Sequence, residues 1–241
     1  MTRTLRAVIF DVDGVLVDSP HEQAWREALA GFADPAGFTT AFYQAHVAGK
    51  PRLEGARATL ERLGGPGAAA SAALYADRKQ AAIERLIAEG DFAAFPDAVR
   101  LALGLERTGM RRVLASSSKN ADAMLARVDL PDGRQLLSLF DADVSGRDLP
   151  RGKPDPALFL LAADTAGAEP AQCVVVEDAP AGIAAAVAGG MAALGIARLG
   201  DAAGLSAAGA DLVVTSLDDL DVAALAVGIL RAHPPAGPHT A

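Results

Sequence analysis

Two carboxylates stand where an apolar strand runs out. Leu5 to Phe10 is a short, largely apolar run rich in branched side chains, the pattern of a strand covered on both faces of a parallel sheet, and Asp11 and Asp13 follow at once. A carboxylate taken out of water needs a cation or strong donors, and the simplest partner for two of them is a hard metal ion. Gly14 then lets the chain turn with little steric restriction, so the loop can carry both acids and free backbone N–H groups toward one point, the geometry of an anion site. An EF-hand is excluded by position, since its glycine holds the sixth place of the loop and Gly14 is fourth from Asp11. Taken alone, D-V-D-G also reads as an acidic strand-end loop.

The elements that position such groups follow from periodicity. Strands are predicted at Arg112 to Ala115, Phe140 to Val144, Cys173 to Val176, Ala193 to Ile196 and Leu212 to Val214. The first of these ends in Ser116, Ser117, Ser118, Lys119 and Asn120, and the third ends in Glu177 and Asp178. Helices alternate with them at Asp97 to Thr108, Asp122 to Val128 and after K-P-D-P, with Asp155 as N-cap and Pro156 in first helical position. This alternation implies an α/β fold, a doubly wound, Rossmann-like parallel sheet. Ligands of such sheets bind outside the carboxyl ends of the strands, so one crevice can gather Asp11, Asp13, Ser116, Glu177 and Asp178. Between the first strand and this alternation lies a helical block with no strand in it, at Pro20 to Phe32, Phe38 to His46, Leu53 to Leu63 and Ala68 to Ala88, with Asp18 as the cap of its first helix. It reads as a separate helical cap over the acidic loop. The expected division is 1–17 core, 18–93 cap, 94–231 core, and 232–241 a disordered tail.

Composition narrows the function. The 241 residues are 51% hydrophobic and 22% charged, which fits a packed soluble core, and the net charge of −8 argues against nucleic acid or an anionic membrane as partner. Cys173 is the single cysteine, so neither a disulfide framework nor a cysteine metal cluster can form. No signal peptide is seen before the first strand, and the uncharged run Ala179 to Ala197 divides better into a helix and a strand than into a membrane span. The reading is a cytoplasmic protein, with nothing that demands more than a monomer. A nucleotide-binding loop of the P-loop kind is lacking, so ATP is not the expected donor.

Four motifs in order, D-V-D-G-V-L-V-D-S, L-A-S-S-S-K-N, G-K-P-D-P and V-V-E-D-A-P-A-G, resemble the haloacid dehalogenase superfamily over almost the whole chain. The resemblance implies that Asp11 is a nucleophile forming an aspartyl phosphate and that Asp13 is the general acid and base. It implies Mg2+ held by Asp11, the backbone carbonyl of Asp13, and Asp178, with Glu177 near the metal. Lys153 and Ser116 then relieve charge on the phosphoryl group. Retention of Asp13, Glu177 and Asp178 favours phosphoryl transfer over carbon–halogen chemistry. Ala179 departs from the Ser that many relatives carry after the acidic pair. H-E-Q-A-W at His21 to Trp25, Arg52 in G-K-P-R, and Lys79 beside Arg78 resemble the β-phosphoglucomutase-like branch, although G-K-P-R departs from its more usual G-x-S-R. The implied substrate-binding set is His21, Trp25, Arg52, Lys79, Ser117, Lys119 and Asn120, with cap packing as the other reading of Trp25. The implied reaction converts a hexose 1-phosphate to the 6-phosphate, and the alternative is a sugar-phosphate phosphatase. A receiver-type signalling domain gathers similar residues but is about half this length and lacks the inserted helices.

Overall fold

Alternate residues of the strands face opposite layers, and that alternation builds the core. The structure, a computed structural model, describes residues 4–234. In chain order, β1 (Ala7–Phe10) and a two-residue β2 (Val17–Asp18) precede four helices, α1 (His21–Ala28), α2 (Thr40–His46), α3 (Arg52–Leu63) and α4 (Ala72–Glu89). There follow β3 (Ala93–Ala94), α5 (Pro96–Glu106), β4 (Arg111–Leu114), α6 (Ala121–Leu125), β5 (Ala142–Asp143), α7 (Ala157–Ala166) and β6 (Cys173–Glu177). The chain ends in α8 (Pro180–Ala188), β7 (Ala192–Ile196), α9 (Ala202–Ala207), β8 (Leu212–Val214) and α10 (Val222–Ala226).

The strands form a parallel sheet in the order β5-β4-β1-β6-β7-β8, with Ile9 level with Val113 and Val175. Val8, Phe10, Val174 and Val176 pack with α5, α6 and α10, whereas Ala7, Ile9, Cys173 and Val175 pack with α7, α8 and α9. This is the doubly wound arrangement: the chain runs from β1 outward through β4 to β5, then crosses back to β6 on the other side of β1 and runs outward through β7 to β8. The crevice at the carboxyl ends therefore opens where Asp11 stands. The run Ala179 to Ala197 divides into α8 and β7, and among the described residues no helix is long and apolar enough to cross a membrane.

The helices between β2 and β3 hold their own apolar cluster, with Trp25, Leu29, Phe38, Leu60 and Tyr75. Ala24, Ile83, Leu86 and Ile87 instead join the main core beside Val15, Leu16 and Val17. No strand interrupts the helices between Pro20 and Ala88, but the expectation of Asp18 as helix cap is corrected. Asp18 lies in β2, which pairs antiparallel with β3, and Pro20 takes the N-cap position of α1. A ribbon of two residues per strand is too short to show a period. Other boundaries also differ. Arg52 begins α3 rather than lying in a loop; Pro156 is the N-cap of α7, while Asp155 accepts from the Ala157 N–H at 3.1 Å; and ordered chain continues past residue 231. There Ala232 bridges to Leu220, and the His233 N–H donates to the Asp219 carbonyl at 2.7 Å. The rest of the expected tail, including His239, lies outside the described residues.

Candidate active site

The ladder of the sheet carries each acidic group to its place. The Asp11 N–H donates to the Val176 carbonyl at 3.1 Å and the Ala115 N–H to the Phe10 carbonyl at 2.8 Å, so Asp11, Ser116 and Glu177 sit at neighbouring strand ends. Beyond Asp11 the chain closes a tight turn, with the Gly14 N–H on the Val17 carbonyl at 2.8 Å and the Val17 N–H on the Val12 carbonyl at 3.0 Å. Gly14 has φ +78°, and a Cβ there would overlap the Asp178 carboxylate, so glycine is required twice over. Ser145 fixes the next strand end by accepting the Ser116 N–H at 3.1 Å.

One ammonium meets several acids. Lys153, fully buried, donates to Asp11 Oδ1 at 2.6 Å and to Glu177 Oε1 at 2.5 Å. Burial opposes its charge, but the two carboxylates override burial and hold it protonated. Burial pushes the Asp11 carboxyl up to about 8, against the pull of Lys153 and with repulsion from Glu177 and Asp13. Asp178 is raised by burial and by the charges of Glu177 and Asp11. Carboxylate oxygens of Asp11, Glu177 and Asp178 all lie within 4.8 Å of one another. That crowding of hard oxygens, with more negative charge than Lys153 can balance, fits a divalent cation. Glu177 also accepts the Ala179 N–H at 3.0 Å, a main-chain bond that Ala in place of Ser leaves intact.

The helical insertion closes over this centre through His21. Its Nδ1 lies 3.2 Å from Lys79 Nζ, and an ammonium only donates, so Nδ1 accepts and the ring proton sits on Nε2. Nε2 is 3.3 Å from Asp13 Oδ2 and 3.0 Å from Ser118 Oγ, and burial lowers the imidazole below its ordinary 6.5. Burial alone would raise Asp13, yet the charge of a protonated His21, hydrogen bonds from His21 and Ser19, and the Lys79 charge bring it down to about 2. Burial in turn pushes Lys79 down to about 8, against Asp13 and helped by Arg52. Ser116 Oγ reaches Asp13 Oδ2 at 3.3 Å from the core side.

One cavity of about 520 Å3 is lined by all the sequence-predicted site residues except Glu177, which lies behind Lys153. Ser117 Oγ donates across the gap to the Gly49 carbonyl at 2.9 Å. Arg52 bonds to the Gln80 side chain, whose Nε2 donates to Asn120 Oδ1 at 3.0 Å. Trp25 is 4% exposed and packs on Tyr75, with ring centroids 5.2 Å apart, so its main burial is packing within the helical insertion. Lys119 is exposed and pairs with Asp148 at 2.6 Å.

Several residues here were not singled out from the sequence. Tyr43, Gln44 and Gln80 line the cavity from the helical insertion, and Arg198 lines it from the sheet side. Arg198 donates to the Gly14 and Val15 carbonyls at 3.0 Å each and forms a bidentate pair with Asp97 at 3.0 and 3.1 Å, its guanidinium 3.7 Å from the centre of the Phe95 ring. It thereby ties the turn after β1 to the segment after β3. A charged residue two positions after a predicted strand was the available signal.

A family model described as haloacid dehalogenase-like hydrolase matches residues 5–190. The chain belongs to that family. It is an enzyme of the phosphomutase or phosphatase type. It is 33% identical to a β-phosphoglucomutase of Bacillus subtilis, over 90% of this chain and 92% of the relative. It is equally 33% identical to the fructose-1-phosphate phosphatase YqaB of Escherichia coli, over 80% of this chain and 96% of that protein. A crystal structure of an archaeal β-phosphoglucomutase from Pyrococcus superposes with a TM-score of 0.70 at 30% identity, over 91% of this chain and 96% of that one.

Proposed function

We propose that this enzyme moves a phosphoryl group on a small phosphorylated sugar through an aspartyl phosphate on Asp11, converting a hexose 1-phosphate to its 6-phosphate as β-phosphoglucomutases do. The observation that carries the reading is Asp13, met by Ser116 from the core and by His21 from the helical insertion, so the acid–base group is completed only by the cap. Residues 18–93 act as that cap, with β2 and β3 as its two links. Asp11, the backbone carbonyl of Asp13, and Asp178 hold Mg2+, with Glu177 beside it. Bound there, the ion neutralises charge on the phosphoryl oxygens and so permits a carboxylate to approach them.

The chain's own residues do the rest. An Asp11 oxygen attacks phosphorus as the ester P–O bond breaks, and Asp13 gives the leaving oxygen the proton it took from an acceptor hydroxyl in the preceding transfer. In the reverse sense Asp13 takes the proton of the acceptor hydroxyl, that oxygen attacks the aspartyl phosphate, and the Asp11 carboxylate is released. Asp13, held near a pKa of about 2 by its cap partners, meets the acceptor as the carboxylate this step requires. Lys153 and Ser116 offer donors to the phosphoryl oxygens, while Arg52, Lys79, Ser117, Lys119 and Asn120 face the rest of the substrate. The site is complete within one chain, which supports a monomer, and the buried free Cys173 suits the cytoplasm.

The similarity to YqaB favours a second reading, the same chemistry with water as acceptor. Phosphorus NMR with Mg2+, β-glucose 1-phosphate and a trace of glucose 1,6-bisphosphate separates the two. Glucose 6-phosphate with little free phosphate establishes the mutase, inorganic phosphate establishes the phosphatase, and no turnover of any sugar phosphate refutes both.

A further inference from the structure

We infer that Gln44 reads a hydroxyl group of the sugar and sets specificity among sugar phosphates, an inference that rests on the sugar-phosphate reading above. Gln44 Oε1 is shielded from solvent and has no hydrogen-bond partner, and the residue lines the cavity. Buried polar atoms are satisfied in the great majority of cases, and an acceptor left alone costs free energy that a ligand donor can recover. Among the described residues, four other side chains have such an atom: Asp13, Arg112, Asp143 and Asp201. Asp13 belongs to the reacting centre, and the other three do not line the cavity. Gln44 is thus the unassigned orphan on the cavity wall.

Its place in α2 locates it. The neighbouring Tyr43 lines the same cavity as Asp11, Asp13 and Asp178, so this turn of helix faces the reacting carboxylates. A phosphate dianion offers only acceptors and would repel the amide oxygen, whereas a hydroxyl donates to it. With the amide turned over, its NH2 would find the same hydroxyl as an acceptor. The ligand atom is therefore a neutral hydroxyl, distinct from the anionic groups that Arg52 and Lys119 suit.

The test compares kcat/KM for β-glucose 1-phosphate with that for its 2-, 3- and 4-deoxy analogues, in the parent enzyme and in Gln44→Met and Gln44→Glu. The parent should penalise one analogue tenfold or more, since the absent hydroxyl leaves the amide unpaired. Gln44→Met, of similar length but without the amide, should treat that analogue and the full sugar alike within about twofold, and Gln44→Glu, which keeps the acceptor, should retain the penalty. Because the readout is a ratio, a general loss of activity or stability does not imitate it. An unchanged penalty in Gln44→Met, or its loss in Gln44→Glu, overturns the inference while leaving the phosphoryl-transfer reading in place. A parent that penalises none of the analogues also overturns it, and failure of the parent to turn over any hexose phosphate overturns both.

Discussion

With divalent cations chelated, the protein should lose stability as pH rises from 5 to 8, and Asp11→Asn should remove most of that loss. The Asp11 carboxyl stands at an ordinary 3.8 in the unfolded chain and is pushed by burial to about 8 in the folded one, despite Lys153. A group whose proton affinity is raised by folding stabilises the native state fully below its unfolded value. That contribution disappears as pH climbs through the folded value, so the window runs from about 4 to about 8. Each decade of pH inside it is worth about 1.4 kcal/mol, so the interval from 5 to 8 removes on the order of 4 kcal/mol, an upper figure because water entering the cavity screens the charge. Asp178 shifts in the same direction and adds to the fall. His21 has the opposite sign, since burial lowers its affinity and stability rises as the unfolded imidazole loses its proton near 6.5, but parent and variant share that contribution. The assay is urea unfolding followed by circular dichroism in EDTA at pH 5 and pH 8. Parent and Asp11→Asn should agree within about 1 kcal/mol at pH 5, where Asp11 is neutral, and the variant should be the more stable by several at pH 8. A parent equally stable at both pH values, or a variant that falls as far, would refute the placement of an uncompensated carboxylate in this centre.

Adding Mg2+ at pH 8 should restore the parent, by about 2.7 kcal/mol at a hundredfold excess over its dissociation constant, and Asp178→Asn should abolish most of that gain in a thermal-shift titration; an equal gain in the variant would place the ion elsewhere. Lys79→Met removes the ammonium that helps to keep Asp13 near 2 and fixes the His21 tautomer, so the acid limb of the kcat/KM profile should move to higher pH; a limb that stays in place would show that Lys79 does not act on Asp13. Arg198→Ala leaves the buried Asp97 without its ion-pair partner and two carbonyls of the turn after β1 without donors, which should cost about 3–5 kcal/mol in equilibrium unfolding; a loss below about 1 kcal/mol would make the clamp incidental.

The acidic centre was legible because strand ends are. Apolar runs such as Ala7 to Phe10 and Cys173 to Val176 fix where a parallel strand stops, and the fold then brings those stops to one edge, so Asp11, Ser116 and Glu177 could be grouped without contacts. The cap wall was not legible for the same reason inverted. α2 has seven residues, too few for a period to separate the position that faces a cavity from one that faces solvent, and Gln44 and Tyr43 look like ordinary surface polar and packing residues. Gln80 follows Lys79 on α4 and differs from it only in its angle about the helix. Arg198 was hidden differently: two of its partners are main-chain carbonyls at Gly14 and Val15, and backbone acceptors leave no trace in residue type.

These hidden contacts bear on the choice between sugar and water as acceptor. Across the gap, cap and core meet through His21 and Ser118, Ser117 and the Gly49 carbonyl, and Gln80 and Asn120. Each of these three is a neutral hydrogen bond, worth about 0.5–1.5 kcal/mol net, that exchanges readily for water, beside the charge-assisted bonds of His21 to the Asp13 carboxylate and of Arg127 to the Ile87 carbonyl. Arg52 is bonded to Gln80 within that same set, so an anionic group that binds Arg52 acts directly on the contacts that hold the cap shut. A ligand shifts such an equilibrium only by its differential affinity for the two states, and the charge-assisted bonds of a second phosphate are strong enough to do so where a hydroxyl is not. On the proposed reading, then, a sugar phosphate with a remote phosphate closes the cap and excludes water from the aspartyl phosphate, while a small phosphate ester that cannot reach Arg52 leaves the cap ajar and is hydrolysed. The ratio of transfer to hydrolysis should therefore depend on the substrate's distal charge, and it should fall in Arg52→Gln with acceptors that carry a phosphate but not with those that lack one.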